Sequence, residues 1–259
     1  MELDGRVLDG RVAVVTGGTR GVGAGIARSF LQAGAEVVLC ARRPPQEPVA
    51  AAGREASYLP ADLRDPAAAE GLFESVARRH GRLDCLVNNA GGTPYRPLGE
   101  GGAERHARVV ELNLLAPMTA SLAAYPLLRA ARGSVVMIGS VSGTRPSPGT
   151  AAYGAAKAGL EHLARSMAVE WAPEVRVNTL VLGMVRTELA HLHYGDEQGI
   201  TAVAATVPLG RLAEPADVGA AAVFLASQQA RYVSGASLLV HGGGERPAFL
   251  DAATVNKEA

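Results

Sequence analysis

The sequence predicts an α/β fold, a Rossmann-like doubly wound parallel sheet of about seven strands with helices on both faces. Two observations carry this prediction. Short, continuous apolar runs, which are typical of strands buried on both faces, recur along the chain. Between them lie longer segments with helical periodicity. Strands that are joined through helices imply right-handed crossovers, and therefore a parallel sheet.

The elements are predicted from these runs in chain order. The strands are expected at 12–16, 36–41, 57–59, 83–88, 134–139, 176–181 and 237–240. The helices are expected at 22–33, 66–80, 103–130, 151–171, 187–206 and 215–228. Asp65-Pro66 offers an N-cap with proline at the first helical position, and Ala172-Pro173 ends the long helix before it.

We expect residues 1–259 to form a single dinucleotide-binding and catalytic domain, because no linker-like stretch divides the chain. The segment L-D-G-R-V occurs twice in succession near the start, which is too short for a structural repeat. Residues 1–9 are therefore predicted to be an N-terminal extension. Residues 245–259 are expected to be a tail that is mobile or packs on a neighbouring subunit.

The composition argues against several classes of protein. Basic and acidic residues number 25 each, so no net field favours nucleic acid or an anionic membrane. No apolar run approaches the roughly 20 residues that cross a bilayer, and the N-terminus is too polar for a signal peptide. Cys40 and Cys85 lie in strand-like runs and are expected to be buried free thiols. The scattered histidines predict no metal site. We therefore expect a cytoplasmic protein.

A glycine-rich stretch, T-G-G-T-R-G-V-G at Thr16–Gly23, follows the first predicted strand. At this position of a doubly wound sheet, the N–H groups and dipole of a helix N-terminus favour phosphate. Gly17, Gly21 and Gly23 permit a tight turn and close approach of a ligand. The dinucleotide pattern G-x-G-x-x-G fails because Ile26 stands where its last glycine belongs. By itself the stretch leaves an ordinary turn as an alternative.

The second predicted strand ends in Cys40-Ala41-Arg42-Arg43, without the acidic residue that binds the ribose hydroxyls of NAD. Arg20 in the glycine loop and Arg42 or Arg43 would together clamp the 2′-phosphate of NADP(H). A solvated arginine pair in an arginine-rich chain is the alternative. The charge pattern favours NADP(H) over NAD(H).

Tyr153 and Lys157 share one face of the predicted helix 151–171, along a stripe that is otherwise core material. Lys157 is one of two lysines in a chain that otherwise uses arginine. A lysine that snorkels to water is one interpretation. The other is a tyrosine acid–base whose pKa falls from about 10 toward 7 beside the ammonium, a differential stabilisation of about 4 kcal/mol.

With these motifs in this order, the chain resembles the classical short-chain dehydrogenases/reductases from about residue 10 to residue 244. The shared motifs are T-G-x-x-x-G-x-G at Thr16–Gly23, N-N-A-G at Asn88–Gly91, a helix asparagine at Asn113, a strand-end serine at Ser140 and Y-x-x-x-K at Tyr153–Lys157.

The resemblance implies four catalytic residues. Tyr153 would exchange a proton with the substrate hydroxyl or carbonyl, and Ser140 would hydrogen-bond the same oxygen. Lys157 would lower the pKa of the tyrosine and bind the nicotinamide ribose. Asn113 would hold a water that links the lysine to a proton relay.

The resemblance also implies a cofactor site along one edge of the sheet. Its predicted residues are Gly17, Thr19, Arg20, Gly21, Val22, Gly23, Arg42, Arg43, Asp62, Leu63, Asn89, Ala90, Gly91, Tyr153, Lys157, Gly183, Val185 and Thr187. Asp62 and Leu63 would contact the adenine, and Val185 and Thr187 the carboxamide. Leu182 replaces the family's usual proline, which removes a fixed φ, so we expect altered loop mobility rather than lost activity.

The predicted function is NADP(H)-dependent interconversion of a ketone and a secondary alcohol by hydride transfer. Residues 187–208 are predicted to form a substrate lid, and the apolar residues in it suggest a lipophilic substrate such as a steroid-like ketone or a 3-oxoacyl thioester. The alternative is a regulatory protein of the same fold that senses NADP(H) without catalysis. The resemblance further suggests a homo-oligomer, a tetramer or a dimer.

Overall fold

The computed structural model describes residues 6–248 and 252–253. Seven parallel strands form one sheet in the order β5-β2-β1-β6-β7-β8-β9, which confirms the predicted fold class. The strands are β1 Val12–Thr16, β2 Glu36–Ala41, β5 Ser57–Pro60, β6 Cys85–Asn88, β7 Ser134–Ser140, β8 Arg176–Leu182 and β9 Ser237–Val240. A hairpin that the sequence analysis did not predict, β3 Ala50–Ala51 with β4 Arg54–Glu55, lies between β2 and β5.

The helices cover both faces of the sheet. They are α1 Gly21–Gln32, α2 Pro66–His80, α3 Gly102–Val110, α4 Ala116–Ala131, α5 Ala151–Glu170, α6 His191–Tyr194, α7 Glu197–Ala205 and α8 Pro215–Ala226. Two predicted helices are divided. The predicted helix 103–130 contains a π-helical turn between α3 and α4, and the predicted helix 187–206 is split into α6 and α7 at Gly195, whose φ is 81°.

Strand β1 shows how the sheet separates two hydrophobic cores. Val12 and Val14 face a core that α2, α4 and α5 cover. Ala13 and Val15 face the opposite core, which α1 and α8 cover. Because successive side chains of a strand point to opposite faces, a run of apolar residues supplies both cores at once. This two-sided burial explains why the strands could be located from continuous apolar runs.

The structure describes part of both predicted ends of the domain. Leu8, in the predicted N-terminal extension 1–9, is only 3% exposed, and its N–H donates to the Ala33 carbonyl at 2.9 Å. The last part of that extension therefore belongs to the core. At the other end, Glu245 pairs with Arg145, so the tail begins attached to the domain. The rest of the predicted tail lies mostly outside the described residues.

Both cysteines are buried free thiols, and burial raises the pKa of Cys40 and of Cys85 to about 12. Across the described part of the chain, no helix combines the length and apolarity that a membrane crossing requires.

Candidate functional site

Buried Thr16 joins the carboxyl ends of β1 and β6, next to the point where the strand order reverses. Its hydroxyl donates to the Val87 carbonyl at 3.2 Å and accepts from the N–H groups of Asn89 and Ala90 at 2.9 and 3.0 Å. The Asn89 amide in turn donates to the carbonyls of Thr16 and Gly17 at 2.9 and 3.2 Å. Thr16 is thus a site-building residue that the predicted list omitted. The sequence feature that could have revealed it is a polar side chain at the end of an otherwise apolar strand.

The glycine loop is compact because two of its glycines touch backbone. Gly17 has φ 63°, and a Cβ there would lie 2.9 Å from the Ala90 Cα. A Cβ at Gly23 would overlap the Gly17 carbonyl. Any side chain at either position would push the loop away from β6. The predicted residues Gly17, Gly23, Asn89 and Ala90 are therefore brought together.

The start of α1 fits a phosphate group. Its N-cap, Arg20, is in an extended conformation and makes no side-chain capping hydrogen bond. The N–H groups of the first helical turn have no partner in the helix itself, and they carry the positive end of the helix dipole. This loop and helix end therefore have the donors and the shape that a dinucleotide pyrophosphate requires.

Three arginines predicted to recognise a phosphate are exposed at this edge. Among the described residues, Arg20, Arg42 and Arg43 form no ion pair. Asp62, predicted to contact adenine, is held by Arg64, whose Nε donates to its Oδ1 at 2.9 Å. The hydrogen bond from Arg64, with a smaller contribution from Arg42, lowers the pKa of Asp62 to about 2. Sequence reasoning missed Arg64, since ion pairs two residues apart give no periodic signal.

Ser140, Tyr153 and Lys157 meet at the end of β7 and the start of α5. The Lys157 ammonium lies over the Tyr153 ring, 5.5 Å from its centroid, and donates to the Ile138 carbonyl at 2.7 Å. The lysine is 3% exposed, so it does not snorkel to water. The Ser140 hydroxyl interacts with the Tyr153 phenol and accepts from the Ser142 N–H at 3.1 Å.

The pKa of Tyr153 differs from the prediction. Burial raises it above the usual value, and the Ser140 hydroxyl opposes this only in part. Burial lowers the pKa of Lys157 to about 8. For the chain by itself, the net shift of the Tyr153 pKa is therefore upward, and the predicted fall toward 7 is wrong. The physical reason is that both groups are desolvated, which disfavours phenolate and ammonium alike.

Asn113 occupies the π-helical turn between α3 and α4 and is fully buried. Its amide nitrogen donates to the carbonyls of Gly92 and Val109 at 3.0 and 2.9 Å, and its Oδ1 accepts from the Gly92 N–H at 2.9 Å. Such turns are frequent at functional sites. A Cβ at Gly91 would lie 2.6 Å from Asn113 Oδ1 and 3.5 Å from Lys157 Nζ, so these residues converge. Both amide N–H groups are used, so the Asn113 side chain has no donor left for the predicted water.

The segment after β8 folds back over the glycine loop. Leu182, in place of the family's proline, is the last residue of β8 and is 6% exposed. The Gly183 N–H donates to the Val240 carbonyl at 3.0 Å, and Val185 bridges to Ala213. The Thr187 Cγ2 lies 3.6 Å from where a Cβ at Gly21 would stand. A cavity of about 490 Å³ separates this segment from α1.

The apolar residues of the predicted lid pack mainly on one another. Ile200 and Val207 are buried in a small cluster with Ala190 and Leu212, separate from the two main cores. Leu192, by contrast, is 67% exposed. The apolar composition of the lid is therefore explained largely by its own core, and only a part of it faces outward.

Tyr194, on α6, has charged groups around it. Burial and the Glu245 carboxylate raise the pKa of Tyr194, and Arg145 opposes them. Tyr194 also contributes to the raised pKa of Tyr153. The rim beside the tyrosine pair thus carries charged groups that the sequence analysis did not place there.

The family model and the relatives that match this chain are described as oxidoreductases. The family model described as enoyl-(acyl carrier protein) reductase matches residues 17–245. An L-fucose dehydrogenase of Oryctolagus cuniculus is 39% identical over 247 residues, which cover 91% of this chain and 85% of the relative.

Two solved structures extend the comparison. A ligand-free aldohexose dehydrogenase of Thermoplasma acidophilum has a TM-score of 0.86 at 26% identity, covering 98% of this chain and 99% of its own. The RhlG/NADP active-site complex of Pseudomonas aeruginosa has a TM-score of 0.84 at 31% identity, covering 93% and 99%.

Proposed function

The chain belongs to the short-chain dehydrogenase/reductase family of oxidoreductases, and from this premise we propose that it interconverts a ketone and a secondary alcohol with NADP(H). One observation supports the proposal above the others. Ser140, Tyr153 and Lys157 converge beside Gly91, at the sheet edge where the glycine loop and the first turn of α1 fit a dinucleotide.

In this proposal each polar side chain has a separate task. A bound nicotinamide supplies hydride chemistry, and the protein supplies orientation and the proton. The Tyr153 hydroxyl donates its proton to the substrate carbonyl oxygen, and the Ser140 hydroxyl holds the same oxygen as charge develops on it. The raised pKa keeps Tyr153 protonated at neutral pH, which suits reduction. Lys157 supplies the positive charge that stabilises the phenolate left behind.

We propose NADP(H) over NAD(H) because Arg20, Arg42 and Arg43 are exposed and lack ion-pair partners among the described residues. Two or three free guanidinium groups near the end of β2 suit a dianionic phosphate, which they can bind through paired hydrogen bonds.

For the substrate we propose a lipophilic ketone, such as a steroid-like ketone or a 3-oxoacyl thioester. Three large apolar side chains remain exposed on segments that flank the site: Tyr95 (71%), Leu98 (63%) and Leu192 (67%). A second candidate is a sugar with a free hydroxyl, oxidised in the reverse direction. The names of the L-fucose and aldohexose dehydrogenases favour it, as do the charged groups beside Tyr194.

The experiment that tests the proposal follows NADPH absorbance with a panel of ketones, and NADP⁺ reduction with L-fucose and D-glucose. For the Tyr153→Phe variant we expect a loss of kcat/KM of about 10³-fold, the range of general acid catalysis. The matched control is Tyr232→Phe, which removes the same hydroxyl from a fully exposed tyrosine.

The outcomes separate the parts of the proposal. A Tyr153→Phe variant as active as the wild type would overturn the mechanism. Turnover of sugars alone would overturn the lipophilic substrate but leave the reaction class. NADPH binding without turnover of any panel member would favour the regulatory alternative.

We also propose that copies of the chain associate, as a dimer or tetramer. Leu122 on α4, Val169 on α5 and Leu239 on β9 are 60%, 80% and 53% exposed. Exposed apolar side chains of this size on three regular elements suit helix and strand contacts between subunits. Sedimentation equilibrium tests this, and a monomer at all concentrations would contradict it.

A further inference from the structure

A second cavity, of about 430 Å³, has Tyr153 in its wall and is strongly basic. No Asp or Glu of the described chain lines it. Five arginines do so: Arg42, Arg64, Arg96, Arg105 and Arg108. Such a concentration of one charge around a concave surface raises the local concentration of anions.

Three of these arginines already have partners or a proposed task. Arg64 binds Asp62, Arg108 lies 3.9 Å from Glu104 on the same helix, and Arg42 stands at the proposed 2′-phosphate position. Arg96 and Arg105 form no ion pair with any described residue. These two therefore carry positive charge into the cavity that nothing in the described chain neutralises.

The side chains of Arg96 and Arg105 both pass close to Gly101. The Arg96 Cδ lies 2.5 Å and the Arg105 Cδ 3.5 Å from the point that a Cβ at Gly101 would occupy. Gly101 has φ 106°, a conformation that other residues rarely adopt, and a side chain there would displace Arg96. An anion bound between two neighbouring arginine side chains would offset the repulsion between their positive charges.

The arginine pair is also held at a fixed position relative to Tyr153. The Arg96 N–H donates to the Gly149 carbonyl at 2.6 Å, two residues before α5 begins. The Tyr95 ring covers Gly149, where any side chain would overlap it. The loop that carries Arg96 is thereby fixed to the start of the helix that carries Tyr153. Apolar Pro94, Val109 and Leu112 line the same cavity.

We propose that Arg96 and Arg105 form a subsite for an anionic group of the substrate, a carboxylate or a phosphate, while the carbonyl lies at Tyr153. The substrate is then amphipathic, with an apolar body along Pro94, Val109 and Leu112. Paired guanidinium groups bind both anions through charge-assisted hydrogen bonds. This inference rests on the proposed function, which supplies the carbonyl at Tyr153.

Four methyl ketones of similar length test the subsite: 7-oxooctanoate, its methyl ester, 7-hydroxyheptan-2-one and the phosphate monoester of that alcohol. With NADPH and the wild type, we expect the charged member of at least one pair to have a kcat/KM about tenfold or more above its neutral partner. A higher value for the acid identifies a carboxylate site, and a higher value for the phosphate ester a phosphate site. Equal values within both pairs overturn the proposal.

The double variant Arg96→Gln/Arg105→Gln should bring the ratio of charged to neutral substrate close to one. Arg78→Gln, an exposed arginine on α2, is the matched control and should keep the wild-type ratio. A double variant that keeps the ratio, or that loses NADPH affinity instead, overturns the assignment to substrate.

Calorimetry with the NADPH-loaded Tyr153→Phe protein measures binding of the same four compounds without turnover. We expect tighter binding of the anion, and loss of that difference when Arg96 and Arg105 are also changed. If no anion binds more tightly than its neutral partner, the subsite fails whatever the catalytic result. If anions bind but the wild type reduces no ketone, the proposed function fails separately.

Discussion

The glycine-loop edge and segment 187–208, which we propose to be a substrate lid, face the same cavity and are built in different ways. At the edge, Thr16 and Asn89 are joined by hydrogen bonds that lie wholly or partly inside the protein. In the described chain, segment 187–208 takes part in one ion pair, Arg186 with Glu197 at 2.9 Å, and this pair is exposed. Buried hydrogen bonds are expensive to break because water does not replace them, whereas exposed ion pairs contribute little. From this difference we propose that the glycine-loop edge is a fixed wall for the cofactor and that segment 187–208 is a movable wall for the substrate.

The strongest test of the fixed wall is Thr16→Val, which keeps the shape of the side chain and removes the hydroxyl. The N–H groups of Asn89 and Ala90 would lose their acceptor, so we expect the free energy of unfolding to fall by about 2 to 4 kcal/mol. Urea denaturation measures this. Thr201→Val, an exposed threonine of α7, is the matched control and should change stability by less than about 0.5 kcal/mol. Equal effects of the two substitutions would remove the contrast between the walls.

Lys157 allows a pH-dependent test of the fixed wall, because its ammonium group is buried there. Its pKa is about 8 in the folded protein against 10.5 for an ordinary lysine, so between these values the unfolded chain binds more protons. The free energy of unfolding of the cofactor-free wild type should therefore rise, relative to Lys157→Met, by about 3 kcal/mol from pH 8 to pH 10.5. Urea titrations at several pH values check this. If the difference in free energy of unfolding between the wild type and Lys157→Met did not vary with pH, the ammonium would not be desolvated.

Arg42 tests whether an exposed residue at the fixed edge affects cofactor choice. If it binds the 2′-phosphate, Arg42→Gln should lower kcat/KM for NADPH about tenfold to a hundredfold, while the value for NADH changes little. Initial rates with both cofactors measure the ratio. Arg78→Gln removes a similar charge far from this edge and should leave the ratio unchanged. Equal losses with NADPH and NADH would argue against a phosphate contact.

The smallest effect on stability is expected in the movable wall. Glu197→Gln removes one partner of a pair whose side chains are 54% and 72% exposed. We expect Tm to change by no more than about 2 to 4 °C, because such pairs contribute at most about 1 kcal/mol. Hydrogen exchange in the lid segment 187–208 should nevertheless become faster. A much larger loss of Tm with no local change in exchange would show that the lid belongs to the cooperative core.

The strands were predictable because their signal is local. The bounds of β1, β2 and β9 agree with the apolar runs residue by residue, and the other four strands agree to within two residues at each end. A strand buried on both faces needs little more than a continuous apolar run between turn residues. The helices were located about as well, except that the predicted helix 187–206 begins only at His191, and the internal breaks were not predicted. The π-helical turn at Asn113 depends on hydrogen bonds to Gly92, 21 residues away in the chain.

In the candidate site too, the residues with a local sequence signal were predictable and those that depend on long-range contacts were not. The motifs placed Ser140, Tyr153 and Lys157 close together, since they fix positions at a strand end and on one helix face. They did not reveal Arg64 or the pairing of Arg96 with Arg105. Arginines are frequent in this chain, and nothing in their spacing shows which of them share a cavity.

By itself the sequence determined the order of strands and helices, the glycine turn before α1 and the positions of the polar residues around Tyr153. Each of these follows from the pattern of a few neighbouring residues. The tertiary structure decided the directions in which the pKa values of Tyr153 and Lys157 shift, and it formed the basic cavity beside them. Desolvation and charge pairing are sums over all atoms that surround a group, and those atoms come from parts of the chain that only folding brings together.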